Sequence, residues 1–494
     1  MSSALPASLA AELRGSLATA AFTVSDVEAL VGHEAHLALA RNETTPAWRR
    51  TADGSALSTL VRLWPLQAPV PRAHAEAALP GLVEPLCAAG VLERSGDEIR
   101  ASIDIRPYAD DDRDWWIVSD LAPGLDGAGR RMRADHVLGV SSASTTLAQI
   151  AVRAEGRSAL DLGTGSGVQA MHLSRHVSHL VATDVNPRSL RLAAMTAALN
   201  EVELDLRLGN LYEPVAADRF DVIVANPPFV VSPGTGERLV YRDSGLPSDE
   251  VVRRVVTQSA AHLEVGGWCH VLANWVHGRG EPWDERIGSW VAATGCDAWV
   301  VQREVTDVAR YVELWLDDAG LHGARDYTRR YDAWLAWFGA QRIEAVGFGW
   351  LSLRNAGRDT PVVTVEDWPF EVVQPLGPHV QSWAGRVDQL QRRDDDDLLA
   401  ARLVTAPDVV EERVGRPGDV DPTAIVLRQH QGMRRARQVT TVVAAMVGAC
   451  DGELTLGQIA TALAGLLDSD AAAVRAELCT AARQLILDAM VTFT

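Results

Sequence analysis

Five short apolar runs, at residues 158–162, 179–184, 204–208, 220–225 and 268–274, punctuate the middle of this chain, with helical patterns between the first four. A further helical pattern over 249–263 precedes the fifth run. Strands that alternate with helices predict a parallel sheet covered on both faces. Later segments, "EAVGFGWLSLRN" and "PVVTVEDWPF", read as two more strands at an antiparallel end of the same sheet. The expectation is an α/β fold with a Rossmann-like seven-stranded sheet.

The flanks read differently. Residues 1–110 are expected to form a mainly helical domain, with Ser25 a helix cap and a helix-then-hairpin ending across "SGDE" that has the outline of a winged helix. The acidic "ADDDRDWW" at 109–116 marks its border. The central domain then covers 111–375, with a Trp-rich helical insertion at about 276–341. A linker is expected over 376–424, its "DDDD" run a solvated helix start or spacer. Residues 425–494 read as helix, helix, strand, a second winged-helix-like unit with Thr455 and Ser469 as caps. Three domains suit 494 residues at roughly 100–200 residues each.

Charge and cysteine usage narrow the setting. A formal net charge of -19 gives no long-range attraction to nucleic acid or to an anionic membrane. Five scattered cysteines with no Cys-x-x-Cys pair suit a reduced cytoplasmic compartment and offer no zinc site, so no metal is expected. The first residues lack a basic start and a continuous apolar core, and no stretch reaches about 20 uninterrupted apolar residues, so neither a signal peptide nor a membrane span is expected.

The first run enters "DLGTGSG", Asp161 to Gly167, and then a helix. Gly163, Gly165 and Gly167 remove Cβ atoms that would hold a ligand off the backbone, while Thr164 and Ser166 complete the turn. The spacing is Gly-x-Gly-x-Gly, which departs from the Gly-x-Gly-x-x-Gly of dinucleotide binders. Asp184 ends the second run, nineteen residues after Gly165, where a carboxylate can accept from both hydroxyls of a ribose. Asn186 and Pro187 follow as N-cap and first helical residue. Asn210, followed by Leu211, stands at the third strand tip, where its amide could meet an adenine edge. Ribose and adenine acceptors without a pyrophosphate loop fit S-adenosylmethionine, with Asp161 near its ammonium. A doubly wound domain for NAD or another nucleotide is the competing reading.

The fourth run ends in "NPPF", Asn226 to Phe229. Asn226 offers a side-chain acceptor. Pro228 forces Pro227 into an extended conformation, so the Pro227 carbonyl is a candidate second acceptor, and Phe229 offers a planar face. Two acceptors and an aromatic face match a planar –NH2 group, either an amide or an exocyclic base amine. Fixing both N–H bonds turns the delocalised lone pair toward a methyl donor and stabilises the charge that develops on nitrogen.

The stretch from about 155 to 275 resembles the class I S-adenosylmethionine-dependent N-methyltransferases with an Asn-Pro-Pro-aromatic signature. It is similar to two branches, the release-factor glutamine methyltransferases and the small-domain ribosomal RNA guanine-N2 methyltransferases. The resemblance implies that Gly163 to Gly167 and Asp184 bind cofactor and that Asn226 to Phe229 hold the target nitrogen. "YRDSGLPSDEVVRRVV" resembles the glutamine branch more than the RNA branch. The helical insertion, the C-terminal unit and the length depart from that branch, and Asn210 stands where many relatives carry an acid.

The acceptor expected first is a protein glutamine side chain in a translation factor. An exocyclic amine of ribosomal RNA comes second and a DNA adenine third. A protein that keeps the cofactor pocket without catalysis is the reading from another class, and the intact Asn226-Pro227-Pro228-Phe229 argues against it. Ser141 to Thr145, "SSAST", is expected to cap a helix, and the resemblance implies that it also lines the cofactor pocket. Two basic patches are candidate phosphate contacts, each with a solvated surface as the plainer alternative: Arg130, Arg131 and Arg133 in a loop, and Arg434, Arg435 and Arg437 on a helix.

Overall fold

A computed structural model describes the chain apart from residues 1–4, 111, 123–124, 126–132, 154–155, 234–244, 319–320, 322 and 418–421. It divides into two compact units, Met1–Ala148 with Ala154–Asp367, and Gln149–Arg153 with Trp368–Thr494.

The centre of the first unit is an eight-stranded mixed sheet. Its strands are β1 (Gly156–Leu162), β2 (Val177–Asp184), β3 (Asp205–Leu208), β4 (Phe220–Ala225), β5 (Leu263–Gly278), β6 (Asp297–Asp307), β7 (Ile343–Arg354) and β8 (Val363–Asp367). They lie in the order β8-β6-β7-β5-β4-β1-β2-β3. β1 to β5 are parallel, β7 runs antiparallel to β5 and β6, and β8 is parallel to β6. Strands buried on both faces need apolar runs: "VIVA" is one, and "ALDL" is broken only by Asp161, whose carboxylate is hydrogen-bonded.

One strand more than the seven expected comes from the region read as a helical insertion. β6 lies inside it, between α4 (Trp283–Ala292) and the pair α5 (Val308–Asp318) and α6 (Tyr327–Ala340), where α1 to α3 are Val168–Leu173, Pro187–Leu199 and Glu250–Ser259. The β6 residues Ala298 to Val301 are buried between β7 and β8, so packing on both sides decides for strand.

Register aligns the carboxyl ends. Leu162 pairs with Thr183 on one side and Ala225 on the other, and Asp184 pairs with Leu208. The chain order reverses between β1 and β4, so a crevice opens beyond Leu162 and Ala225, where the two motifs begin.

The N-terminal region packs onto α2. The helices Arg72–Ala78 and Val83–Ala88 lead into the hairpin Leu92–Ser95 with Glu98–Ala101, and Val70–Pro71 adds a third short strand. The acidic segment read as a border instead lies at the turn of another hairpin, Asp104–Ala109 with Asp114–Ser119, although Asp111 itself falls outside the described residues. That hairpin is tied to α2: the Trp116 amide donates to Asn200 Oδ1 at 2.9 Å, Asn200 Nδ2 donates back to the Trp116 carbonyl at 2.8 Å, and the Val118 amide donates to Thr196 Oγ1 at 3.0 Å. Leu192 and Leu199 of α2 join the N-terminal core, each such side chain worth about 1.5–3 kcal/mol when fully buried. Thr23, two residues before the expected Ser25, caps helix Val24–Val31 by accepting from the Asp26 amide at 3.1 Å.

In the second unit the expected linker is structured. Residues 376–424 carry helices Gly377–Gln391 and Asp395–Ala400 and strands Arg402–Thr405 and Val409–Val414. Arg402–Thr405 is the middle strand between Asp451–Thr455 and Val491–Phe493, and Leu398 and Leu403 are fully buried, which a spacer would not allow. Asp394 of the acidic run caps the short helix by accepting from the Asp397 amide at 2.9 Å. Thr455 caps helix Leu456–Leu466 as expected; Asp470, next to the expected Ser469, caps Ala471–Leu487. The second basic patch is a turn leading into strand Ala436–Val439, and no helix forms there. Its arginines are engaged: Arg434 with Glu371 at 2.6 Å, Arg437 with Asp488, and Arg435 with Asp488 and over the Trp368 ring. Among the described residues no helix is long and apolar enough to cross a membrane.

Candidate functional site

The turn after β1 is held by its neighbour β2. The Gly163 and Thr164 amides both donate to the Thr183 carbonyl at 2.9 Å, and the Gly165 amide donates to Asp184 Oδ2 at 3.0 Å. Gly163 has φ +79° and Gly165 φ +56°, in the left-handed region that side-chain-bearing residues rarely enter. A Cβ at either would meet no protein atom within 4 Å, so both bare backbone faces open onto free space.

Asp161 lies beneath this turn, 1% exposed. Its Oδ2 accepts from Thr164 Oγ1 at 2.7 Å and from the Ala170 amide at 3.0 Å. Burial pushes its pKa up to about 7, against the pull of those two donors. Asp184 is also raised, again chiefly by burial. One of its oxygens takes the Gly165 amide; the other takes the Asn186 amide at 2.8 Å. Each bond fixes the carboxylate and leaves further acceptor capacity on both oxygens. Asn186 caps α2 by accepting from the Arg188 amide at 2.9 Å, with Pro187 opening the helix.

A cavity of about 480 Å³ spreads from this turn to the β4 tip. That volume is within the range of small-molecule sites. Asp161, Gly163, Thr164, Gly165, Ser166, Asp184, Asn210, Leu211, Asn226, Pro227 and Pro228 all line it. Two expected residues do not. Gly167 precedes α1 with φ +85°, and its ideal Cβ position lies 3.5 Å from Ala193 Cβ, so it serves the turn and the packing against α2. Phe229 is not among the lining residues and packs T-shaped against Trp315, ring centroids 6.4 Å apart. Asn210 is exposed, and its side-chain amide donates to Glu213 Oε1 at 3.5 Å.

Asn226 Oδ1 is the feature that most needs explanation. It is buried, and no group among the described residues donates to it. An unpaired buried acceptor costs about 1–3 kcal/mol, so it has reason to persist only where something else supplies the donor.

The cavity also has walls that sequence reasoning missed. His136, Val137, Leu138 and Gly139 form one side, with the expected Ser141 and Ser144 beside them. Ser141 and Ser144 cap the next helix reciprocally, each amide donating to the other's hydroxyl at 2.9 and 3.2 Å. Burial lowers the His136 pKa, although Asp120 stands 3.8 Å away and opposes the shift. Gln169 from α1 and Val251, Arg254 and Val255 from α3 also line it. A lone histidine a few residues before a helix start carries no periodic signal, so only the fold reveals it. Of the loop arginines, Arg133 pairs with Asp135 at 2.8 Å, while Arg130 and Arg131 lie outside the described residues.

Crevice, carboxylate-tipped β2 and strand order together make the class I methyltransferase arrangement, and comparison with known families agrees. Residues 138–281 match the methyltransferase small domain. Residues 19–102 and 381–492 match two families, each described as a domain of unknown function. A release factor glutamine methyltransferase of Xylella fastidiosa is 34% identical over 137 residues, covering 25% of this chain and 48% of that protein. A ribosomal RNA small subunit methyltransferase C of Idiomarina loihiensis is 35% identical over 130 residues, covering 26% of this chain and 34% of that protein. A ribosomal protein uL3 glutamine methyltransferase of Bordetella pertussis is 34% identical over 121 residues, with 22% and 41% covered. The chain thus spans less than half the length of these relatives.

Proposed function

We propose that the protein transfers a methyl group from S-adenosylmethionine to a planar amine or amide nitrogen of a macromolecule, with a glutamine side chain of a translation protein as the acceptor. The observation that carries this reading is Asn226 Oδ1, unpartnered among the described residues, just past the end of β4, whose last residue pairs with the last residue of β1 before the glycine turn.

The cofactor fits the residues present. Asp184 would hold the ribose, the bare faces of Gly163 and Gly165 would admit close approach, and Asp161 would favour an ammonium group. When bound, it supplies a methyl on a sulfonium, which is already a good leaving group. The chain's own work is then positional. Asn226 Oδ1 accepts one N–H of the acceptor and the Pro227 carbonyl accepts the other. Held so, the nitrogen presents its lone pair, and the two acceptors stabilise the positive charge that grows on it. The proton leaves after transfer, once the nitrogen is acidic.

An exocyclic amine of ribosomal RNA is the second reading, favoured by the match to the small subunit enzyme. In either case the end domains, with their winged-helix-like outlines, recognise the acceptor in the cytoplasm. Radiolabelled methyl donor, purified protein and extract from a deletion strain test the choice. Label that survives RNase and is lost to protease supports the protein acceptor; label lost to RNase selects RNA; no label in any fraction refutes the transferase reading.

A further inference from the structure

The segment that leaves the Asn-Pro-Pro-Phe loop does not run free. Val230 and Val231 are buried in a cluster with Tyr311, Val312 and Leu316 of α5. α5 belongs to the helical pair between β6 and β7, outside residues 138–281. The Val231 amide donates to the Tyr311 hydroxyl at 2.9 Å. Asn274 Nδ2 donates to the same oxygen at 3.2 Å.

Asn274 lies on the stretch of β5 that continues past the end of β4, since the last β4 residue, Ala225, pairs with Val271. One buried hydroxyl therefore bridges the loop exit to the longest strand of the sheet. One helical turn on, Trp315 packs T-shaped against Phe229, and its ring also lies 6.0 Å from that of Tyr311. Tyr311 and Trp315 thus grip the loop at two points, Val231 through hydrogen bonding and Phe229 through ring contact.

We propose that Tyr311 is a positioning residue for methyl transfer: its hydroxyl pins Val231 to Asn274, and this fixes Asn226 and the Pro227 carbonyl in the geometry that receives the target nitrogen. The proposal rests on the transferase reading. It makes the helical pair a component of the catalytic apparatus, acting through the loop without touching the acceptor. A misplacement of about 1 Å at a reacting group is enough to cost on the order of 10²-fold in rate. The glycine turn, held by β2, is independent of this grip.

Tyr311→Phe removes one oxygen and keeps the ring contacts. Two measurements separate the proposal from the reading beneath it. Hydrogen exchange followed by mass spectrometry should show faster exchange in peptides covering 229–232 and unchanged exchange over 156–170. Kinetics with labelled donor and the acceptor fraction should show kcat lowered about tenfold or more, with cofactor affinity by calorimetry unchanged. Exchange at 229–232 equal to wild type, or faster exchange with unaltered kcat, overturns the proposal. A loss of cofactor affinity also overturns it, because the effect is then general. Wild-type protein that transfers no label to any fraction refutes the transferase reading itself, and the exchange result then stands only as structure. Tyr311→Leu serves as a second variant: it should lower kcat further than Tyr311→Phe, and equal values would contradict a role for the hydroxyl together with the ring.

Discussion

The two loops at the centre of this molecule begin from paired residues, Leu162 and Ala225, yet they are held by different means. The glycine turn is fixed from within the parallel sheet, by the Thr183 carbonyl and the Asp184 carboxylate of the next strand. The Asn-Pro-Pro-Phe loop is fixed from outside it, by Tyr311 and Trp315 of a helix that arrives some eighty residues later in the chain. On the reading proposed, the cofactor's loop is held by the sheet itself. On the same reading, the loop that receives the acceptor is held by a segment outside residues 138–281. The described residues divide the same way: donors crowd Asp161 and Asp184, while Asn226 Oδ1 has none.

If that division is real, variants should sort by loop. The largest effect is expected from Asn226→Ala, which should lower transfer by about 10²–10³-fold, the range seen when one stabilising hydrogen bond is removed from a reacting centre. Calorimetry should find cofactor affinity near wild type, and parallel loss of both would erase the distinction. Asp184→Ala should do the opposite first, weakening cofactor binding by roughly 10- to 100-fold, since hydrogen bonds to a charged group are worth about 1.5–3 kcal/mol. Unchanged affinity there would remove the ribose assignment.

Gly165→Ala should be milder for folding. Its φ of +56° costs an L-residue about 1–2 kcal/mol, a fall of a few degrees in Tm, with weaker cofactor binding because the new methyl enters the free space over the turn. The smallest effect concerns Asp161. Its pKa of about 7 exceeds its unfolded value of 3.8, so it contributes stability below pH about 4 that is lost as pH rises through 7. A bound ammonium should favour the ionised form, so cofactor affinity should rise with pH across this window, with proton release by calorimetry in buffers of different ionisation enthalpy. Asp161→Asn should flatten that dependence.

The same contrast explains what is legible in the sequence. β1 to β4, the glycine turn, Asp184 and the Asn186–Pro187 cap are local patterns, each written in consecutive residues, and they sit where expected. β6 is hidden because "DAWVVQ" reads as one more Trp-rich stretch until β7 and β8 flank it. The hairpin at 104–119 is masked by its acidic turn, and its strand is secured by Asn200 and Thr196, side chains far along the chain. Phe229 reads as a face for the acceptor, and its T-shaped contact with Trp315 is one no spacing announces. Arg435 and Arg437 resemble a phosphate patch because Asp488 is distant in sequence.

A crystal structure with S-adenosylhomocysteine bound tests the central claim most directly. The ligand should lie in the cavity between the two loops, its ribose on Asp184, with Asn226 Oδ1 still free to meet an acceptor. A ligand lodged elsewhere, or one whose own groups satisfy Asn226 Oδ1, would contradict the division of labour argued here.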